Sequence, residues 1–332
     1  MSYAPEPARF GRLTNREEAA AVRPLTLAWV NRHLETGERV VRTEVLHGGI
    51  TAEMRRLTIG ARDGSTRDLV LRSFVAPFHL ERAEDWLGRE AGALTALAGT
   101  GVPAPALVAA DPVAAHCEYP SLLMTHMTGR TVLDDGGLET RVPLLARQLV
   151  AIHAVRPTER PREYAALTTA DTVVTPEGAH AAAWAAAIDV IREPAPPYEG
   201  RFLHRDFQPG NVLFGAVSSG PAGARITAVV DWAAASWGPA DLDVAHCSTN
   251  LALLHGPRWG LRFPQAYEKA GGALAAAVSE RRYWLVRDAL ACSEEVRTVA
   301  RVWREAGRPE LTERAVEQRL DAYVTALMDA PG

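Results

Sequence analysis

A polar stretch interrupts an apolar run between residues 202 and 214, whose sequence is FLHRDFQPGNVLF. Its polar residues stand too close together for a buried strand, and its flanks are too apolar for a surface loop. Asp206 lies in the middle of the stretch, and Asn211 follows where the chain becomes apolar again. A further acidic residue, Asp231, comes at the end of the next apolar segment, RITAVVDW. We expect two strands whose connecting segments present these three side chains.

The oxygen atoms of these side chains suit one kind of chemistry. Two adjacent strands of a hairpin bring Asn211, at the start of one strand, and Asp231, at the end of the next, to one edge. Such oxygen ligands suit a hard cation such as Mg²⁺, which tends to use one or two carboxylates plus substrate phosphates. Asp206 is then free to accept a hydroxyl proton. Phosphoryl transfer requires both functions: a base that orients the attacking hydroxyl, and ligands for a cation that neutralises the charge of the nucleotide.

Simpler roles are open for some of these residues. An aspartate and an asparagine this close together also occur where side chains cap a loop, but Asp231 at the end of an apolar strand makes that alternative the weaker one. For His204 we expect packing beside apolar residues with a bond to the backbone. His246 and Cys247 are also expected to be packing residues.

The elements that must position this stretch change character along the chain. The first 125 residues are predicted to form mainly a small antiparallel sheet with one internal helix, and the rest is predicted to be mostly helical. Strands are predicted over 40–46, 52–60, 67–74, 106–111 and 121–127. Helices are predicted over 1–35, 80–101, 138–155, 179–193, 281–307 and 311–328. The pattern therefore predicts an N-terminal lobe, 1–125, and a C-terminal lobe, 126–332.

Composition limits the class of protein and its partners. The 332 residues are 47% hydrophobic and 23% charged, which is typical of a globular protein, and the net charge of −4 gives no reason to expect a nucleic acid or a membrane as partner. The absence of a signal-peptide pattern and the three widely spaced cysteines favour a cytoplasmic protein without disulfides. Only one of the 36 basic residues is a lysine, Lys269. Chemistry that usually requires a lysine must use Lys269 or an arginine.

The sequence HRDFQPGNVL, followed by AVVDW and GPADLDVAH, resembles the aminoglycoside phosphotransferase-like family, which are small-molecule kinases. The catalytic loop of that family, His-Gly-Asp, four residues and Asn, is matched by His204, Asp206 and Asn211. Arg205 stands where the family often has glycine. The resemblance implies that Asp206 is the catalytic base and that Asn211 and Asp231 are the metal ligands.

The same resemblance implies a fold and a brace for the loop. The fold expected is α+β, a bilobal protein-kinase-like fold with a small antiparallel-sheet N-lobe and a mostly helical C-lobe. A later Gly-x-x-x-x-Asp piece is matched by Gly238 and Asp243, and Asp243 is expected to brace the catalytic loop.

The resemblance also implies a nucleotide site between the lobes. Gly48 and Gly49 fall in the turn where the fold places its nucleotide loop, although a plain hairpin turn explains them about as well. Arg72 stands where kinases carry a phosphate-binding lysine, and Glu90 is its implied partner; a solvated strand arginine is the alternative. The lobe connection is expected to contact the nucleobase through Met124, His126 and Met127.

The function expected is transfer of the γ-phosphate of ATP or GTP, with Mg²⁺, to a hydroxyl of a small molecule such as an aminoglycoside-like antibiotic, a sugar or another natural product. A protein kinase is disfavoured because only WAAASW separates Asp231 from Gly238, which leaves no room for an activation segment. The missing lysine supports a different alternative, a nucleotide-binding pseudokinase that acts as sensor or scaffold. The sequence does not indicate an oligomeric state.

Overall fold

The structure, a computed structural model, describes residues 22–46, 52–166, 168–215 and 224–330. The chain divides into two compact units. The first consists of Met1–Glu84 and Val108–His126, and the second of Asp85–Leu107 and Met127–Gly332. Helices and strands are numbered below in chain order within the described residues.

The first unit is built on an antiparallel sheet, as predicted. Its elements are α1 (Pro24–Arg32), β1 (Arg39–Leu46), β2 (Glu53–Gly60), β3 (Thr66–Ser73), β4 (Leu107–Asp111) and β5 (Ser121–Thr125). The strands lie in the order β1-β2-β3-β5-β4, and β1, β2, β3 and β5 pair antiparallel. Trp29 of α1 packs with Leu57, Leu71 and Leu123 from three strands in one buried cluster. The helix α2 (Pro77–Leu97) begins in this unit and ends in the second.

The second unit is mostly helical, also as predicted. Its main core joins Trp184, Leu253, Leu290 and Leu320, which lie on four different helices. The helices are α3 (Leu138–His153), α4 (Ala181–Arg192), α5 (Ala240–His255), α6 (Pro257–Lys269), α7 (Val278–Ala291), α8 (Val296–Glu305) and α9 (Glu313–Asp329). In the part of the chain that the structure describes, no helix has both the length and the apolar composition needed to cross a bilayer.

The single helix predicted over 281–307 is wrong. The chain instead forms α7, a 3-10 turn at Cys292–Glu294, and α8. The hydroxyl of Ser293 donates to the carbonyl of Leu290 at 2.6 Å, a local bond that competes with the helical ladder. The 3-10 turn at Cys292–Glu294 therefore divides the predicted helix in two.

Two short strand pairs interrupt the helices of the second unit. They are β6 (Gly200–Leu203) with β9 (Ser236–Pro239), and β7 (Val212–Phe214) with β8 (Ile226–Val229). Gly238 on β9 faces β6, and a Cβ atom there would lie 2.8 Å from a ring carbon of Tyr164 and 3.0 Å from Leu203. Close packing therefore explains the glycine at this position.

Candidate active site

The predicted catalytic segment lies between β6 and β7, with a short 3-10 turn at Pro209–Asn211. Val212 pairs with Val229 in the hairpin of β7 and β8, and the Val230 amide donates to the Asn211 carbonyl at 3.0 Å. Asn211, at the start of one strand, and Asp231, just after the other, therefore lie at the same end of this hairpin. The sequence predicted this juxtaposition.

Asp206 accepts hydrogen bonds on both carboxylate oxygens. Its Oδ1 accepts from Gln208 Nε2 at 3.1 Å and lies 3.0 Å from His246 Nε2. Its Oδ2 accepts from Asn211 Nδ2 at 2.8 Å. Burial raises the pKa of Asp206, but the bond from His246 and its charge lower it more, so that the pKa lies below the ordinary value. The carboxylate is therefore ionised near neutral pH and can accept a hydrogen bond from a hydroxyl.

Asp243 holds the main chain of the same loop. Its Oδ2 accepts from the His204 amide and its Oδ1 from the Arg205 amide, each at 2.8 Å. His153 Nε2 lies 3.2 Å from Oδ2. Burial would raise the pKa of Asp243, but the contact with His153 and the nearby positive charges bring it to about 2. The predicted brace is confirmed.

The backbone is in the left-handed region at two non-glycine residues of the site. Arg205 has a φ of 68° and Asp231 a φ of 64°. Such conformations are costly for residues with a Cβ atom and persist where the surroundings enforce them. Glycine would adopt the conformation of Arg205 without strain, which gives a physical reason for the glycine of the resembled motif at this position.

His204 has the structural role that the sequence predicted. Its side chain is fully buried, and the ring lies 4.3 Å from the Trp232 ring, centroid to centroid. Its Nδ1 accepts from the Asp206 amide at 3.2 Å, while Nε2 donates to the Val230 carbonyl at 3.1 Å. Burial lowers the pKa of His204, which keeps the ring neutral. The ring therefore links the catalytic segment to the end of β8.

For His246, by contrast, the predicted packing role is wrong. The residue lies on α5, and its Nε2 contacts Asp206 while its Nδ1 lies 3.1 Å from Asp288 Oδ1 on α7. Burial opposes the charged form, but Asp288 and Asp206 raise the pKa of His246 to about 10. Sequence reasoning missed the contact because α5 is buried over almost its whole surface and its pattern does not distinguish one polar residue.

The donor set fits a magnesium ion with few protein ligands. Asn211 donates its amide nitrogen to Asp206, so its amide oxygen is the atom that could bind a cation, and Asp231 follows the neighbouring strand at the same end of the hairpin. In the described ranges, no cluster of three or more His, Cys, Asp or Glu residues could hold a metal by itself. Two oxygen ligands completed by phosphate oxygens are a common arrangement for Mg²⁺.

In the first unit, Arg72 lies on β3 between Met54 and Leu122 of the neighbouring strands. Its side chain is buried, with the guanidinium 5.4 Å from the Phe74 ring centroid, so the alternative of a solvated strand arginine is wrong. Glu90 is also buried, in the part of α2 that belongs to the second unit. The pairing of Arg72 with Glu90 stays a prediction.

The remaining nucleotide residues stay predictions as well. Gly48 and Gly49 lie outside the described residues. Met124 is buried on β5 and pairs with Val70 of β3. The His126 amide donates to the Asp68 carbonyl at 3.1 Å, so this amide is already engaged and Met127 follows as the next donor.

The fold is α+β, and its second unit places Asp206, Asn211 and Asp231 around two short strands, with Asp243 bracing the main chain of the loop. A sequence profile of the phosphotransferase enzyme family (APH) matches residues 43–284. The chain therefore belongs to this family, and the predicted resemblance and fold class are confirmed. No curated protein sequence matches the chain.

Solved structures support the same fold at low sequence identity. A Ralstonia eutropha JMP134 protein provisionally assigned as an aminoglycoside phosphotransferase has a TM-score of 0.59 and 17% identity, with 91% of this chain and 98% of that chain covered. A thermostable mutant of aminoglycoside phosphotransferase APH(4)-Ia, in a ternary complex with AMP-PNP and hygromycin B, has a TM-score of 0.55 and 18% identity over 86% and 94%. Amicoumacin kinase hAmiN, in complex with AMP-PNP, Ca²⁺ and Ami, has a TM-score of 0.53 and 11% identity over 91% and 93%.

Proposed function

We propose that the protein transfers the γ-phosphoryl group of ATP to a hydroxyl group of a small molecule. The observation that carries this proposal is the placement of Asp206, whose carboxylate is held by three donors and yet has 34% of its side chain exposed. An ionised carboxylate that is fixed and still accessible can orient an incoming hydroxyl. The solved complexes with AMP-PNP, hygromycin B and amicoumacin support a nucleotide donor and a small-molecule acceptor.

Asn211 and Asp231 are the residues that would hold Mg²⁺. The ion, when bound with the nucleotide, neutralises charge on the phosphate oxygens. Asn211 also donates to Asp206, so the same side chain would set the position of the base relative to the metal. This coupling explains why an asparagine, which has one donor group and one acceptor group, suits the position better than a second aspartate.

Arg72 is proposed to contact the nucleotide phosphates in the place of the absent lysine. A guanidinium stays charged at all working pH values and can bind two oxygens at once. Arg72 and Glu90 are both buried, and Glu90 is proposed as the carboxylate that orients the Arg72 guanidinium towards a phosphate oxygen. The nucleobase edge is proposed to meet the backbone near Met127, beside Met124.

A titration with Mg²⁺ and AMP-PNP tests the metal assignment. Asp231→Ala should weaken Mg²⁺-dependent nucleotide binding by at least about 100-fold, because a carboxylate ligand of a divalent cation is lost. Asp189→Ala, which removes an exposed aspartate of α4 in the same unit, is the matched control and should bind as the wild type does. Unchanged affinity in Asp231→Ala would show that the metal is held elsewhere.

The acceptor is sought with the compounds that the similar enzymes bind. Hygromycin B and amicoumacin, each offered with ATP or GTP, are the first probes, followed by neutral sugars. ADP release that depends on an acceptor supports the kinase. Nucleotide binding without turnover of any acceptor would favour the pseudokinase alternative instead.

A further inference from the structure

The imidazole of His246 lies between two carboxylates of the second unit. Its Nε2 is 3.0 Å from Asp206 Oδ1 and its Nδ1 is 3.1 Å from Asp288 Oδ1. The ring has 16% of its surface exposed, while the Asp288 side chain is almost fully buried. A chain of contacts therefore runs from the catalytic segment through α5 to α7.

The two carboxylates determine the protonation of the ring. An ionised carboxylate only accepts, so both ring nitrogens must donate, which requires the imidazolium form. Asn250 Nδ2 lies 3.2 Å from the same Nε2, and a neutral ring could accept from this amide. In that arrangement the lone pair of Nε2 would face the negatively charged Asp206 Oδ1. The imidazolium instead makes two charge-assisted bonds, to Asp206 and Asp288, which outweigh the one neutral bond from Asn250. Glu295 is a third acidic residue whose electrostatic interaction with His246 favours the charged ring.

The contacts of Asp206 leave one direction for an acceptor. A carboxylate has about four lone-pair sites, and Gln208 with His246 takes two on Oδ1. Asn211 takes one on Oδ2. Among the residues that the structure describes, the remaining site is therefore on Oδ2, where a hydroxyl of the acceptor can donate.

We propose that His246 is a positioning residue for the phosphoryl transfer: as an imidazolium bound by both Asp206 and Asp288, it fixes the Asp206 carboxylate with Oδ2 directed at the acceptor hydroxyl. This inference rests on the proposed function. His246 acts through Asp206, and Asp288 holds the ring from the opposite side. Because a misplacement of about 1 Å can reduce a rate by about 10²-fold, a loose Asp206 is enough to lose most of the activity.

Hydrolysis of Mg-ATP without an added acceptor tests the proposal, since water then takes the place of the acceptor hydroxyl. His246→Gln should lower kcat by about 10- to 100-fold, while the affinity for Mg-AMP-PNP stays within about twofold of the wild type. Asp288→Asn should act in the same direction with a smaller loss. The combined variant should lose little more than His246→Gln alone, because the two residues act on one carboxylate.

His255→Gln is the matched control. His255 Nδ1 contacts Asp135 Oδ1 at 2.6 Å, so this change removes another histidine–aspartate contact from the same unit. It should leave kcat unchanged, which separates positioning of Asp206 from a general loss of folding. If His246→Gln does not fold by circular dichroism, Asp288→Asn carries the kinetic test.

The protonation state of the His246 ring is a second measurement, and Asp288→Asn would leave it unchanged if His246 had only a structural role. Nitrogen NMR of ¹⁵N-histidine-labelled protein should show His246 as an imidazolium at neutral pH in the wild type, and Asp288→Asn should move its titration to lower pH. A neutral ring at pH 7, or full kcat in His246→Gln, overturns the inference and leaves the proposed function in place. Failure of the wild type to bind Mg-AMP-PNP overturns both.

Discussion

Asp206 and Asp243 both contact a histidine ring nitrogen, yet their surroundings differ. Asp243 is fully buried and accepts from two main-chain amides, whereas Asp206 has 34% of its side chain exposed and accepts from side chains. Main-chain donors fix the path of the loop. Side-chain donors fix the orientation of a carboxylate and leave part of it accessible. Asp243 therefore shapes the loop, whereas Asp206 presents an oriented carboxylate that an acceptor can reach.

The histidine partners differ in a corresponding way. His153 lies 3.2 Å from Asp243, and its other nitrogen lies 2.6 Å from the Tyr267 hydroxyl. His246 has a second carboxylate in that place. The Tyr267 hydroxyl beside His153 can donate or accept, whereas the Asp288 carboxylate beside His246 can only accept. The ring beside Asp206 is therefore held in its charged form.

Asp206→Asn should have the largest effect of the substitutions considered. The amide cannot accept the hydroxyl proton, so transfer to the acceptor should fall by about 10²- to 10⁴-fold. Binding of Mg-AMP-PNP should be kept because the proposed ligands are intact. Steady-state kinetics with calorimetric titration measure the two quantities, and a loss of only about twofold would remove Asp206 from the catalytic role.

Asp243→Asn should instead act on stability. An amide can present only one oxygen to the loop amides, and an unsatisfied buried donor costs about 1–3 kcal/mol. The folded-state pKa of Asp243, about 2, lies below the ordinary value of about 3.9 for an aspartate. Ionised Asp243 therefore stabilises the fold by about 2 kcal/mol above pH 4, and this contribution is lost as the pH falls towards 2.

Urea unfolding between pH 6 and pH 2 measures that dependence. The difference in the free energy of unfolding between wild type and Asp243→Asn should shrink as the pH falls below 4. A difference that stays constant over this range would mean that Asp243 is not held in its ionised form, and the brace would need another explanation.

The smallest effect is expected at the backbone of Arg205. Arg205→Gly and Arg205→Ala remove the same side chain, but only glycine adopts a φ of 68° without strain. The glycine variant should be the more stable by about 1 kcal/mol, which is less than the left-handed penalty because glycine also makes the unfolded chain more flexible. Thermal unfolding of the two variants compares them directly, and an alanine variant that equals the glycine variant would show that the loop can relax.

The catalytic segment could be predicted from the sequence because its chemistry restricts the residue types. A base, an amide and a carboxylate had to follow one another around two short strands, and Asp206, Asn211 and Asp231 do so. His246 and Asp288 could not be predicted, since they lie 42 residues apart on two helices and meet only through helix packing. The helix α5 itself was not predicted for a different reason: a helix buried on nearly all sides has no apolar stripe.

The strands of the first unit could be predicted from the alternation of apolar residues, but the role of the arginine on the third strand could not. Arg72 was placed correctly on the third strand, where it is buried. What it contacts depends on groups far away in the sequence, which a strand pattern cannot identify. The strand is therefore more securely predicted than the role of its arginine.

A crystal structure of the protein with Mg²⁺ and AMP-PNP tests the central claim most directly. The account predicts a metal ion about 2.0–2.1 Å from the Asn211 amide oxygen and from an Asp231 carboxylate oxygen. Asp206 should remain outside the coordination sphere, with Oδ2 towards the γ-phosphate, and the Arg72 guanidinium should lie within hydrogen-bond distance of a phosphate oxygen. A metal ion bound by Asp206, or a nucleotide whose phosphates approach neither Asn211 nor Asp231, would contradict the account.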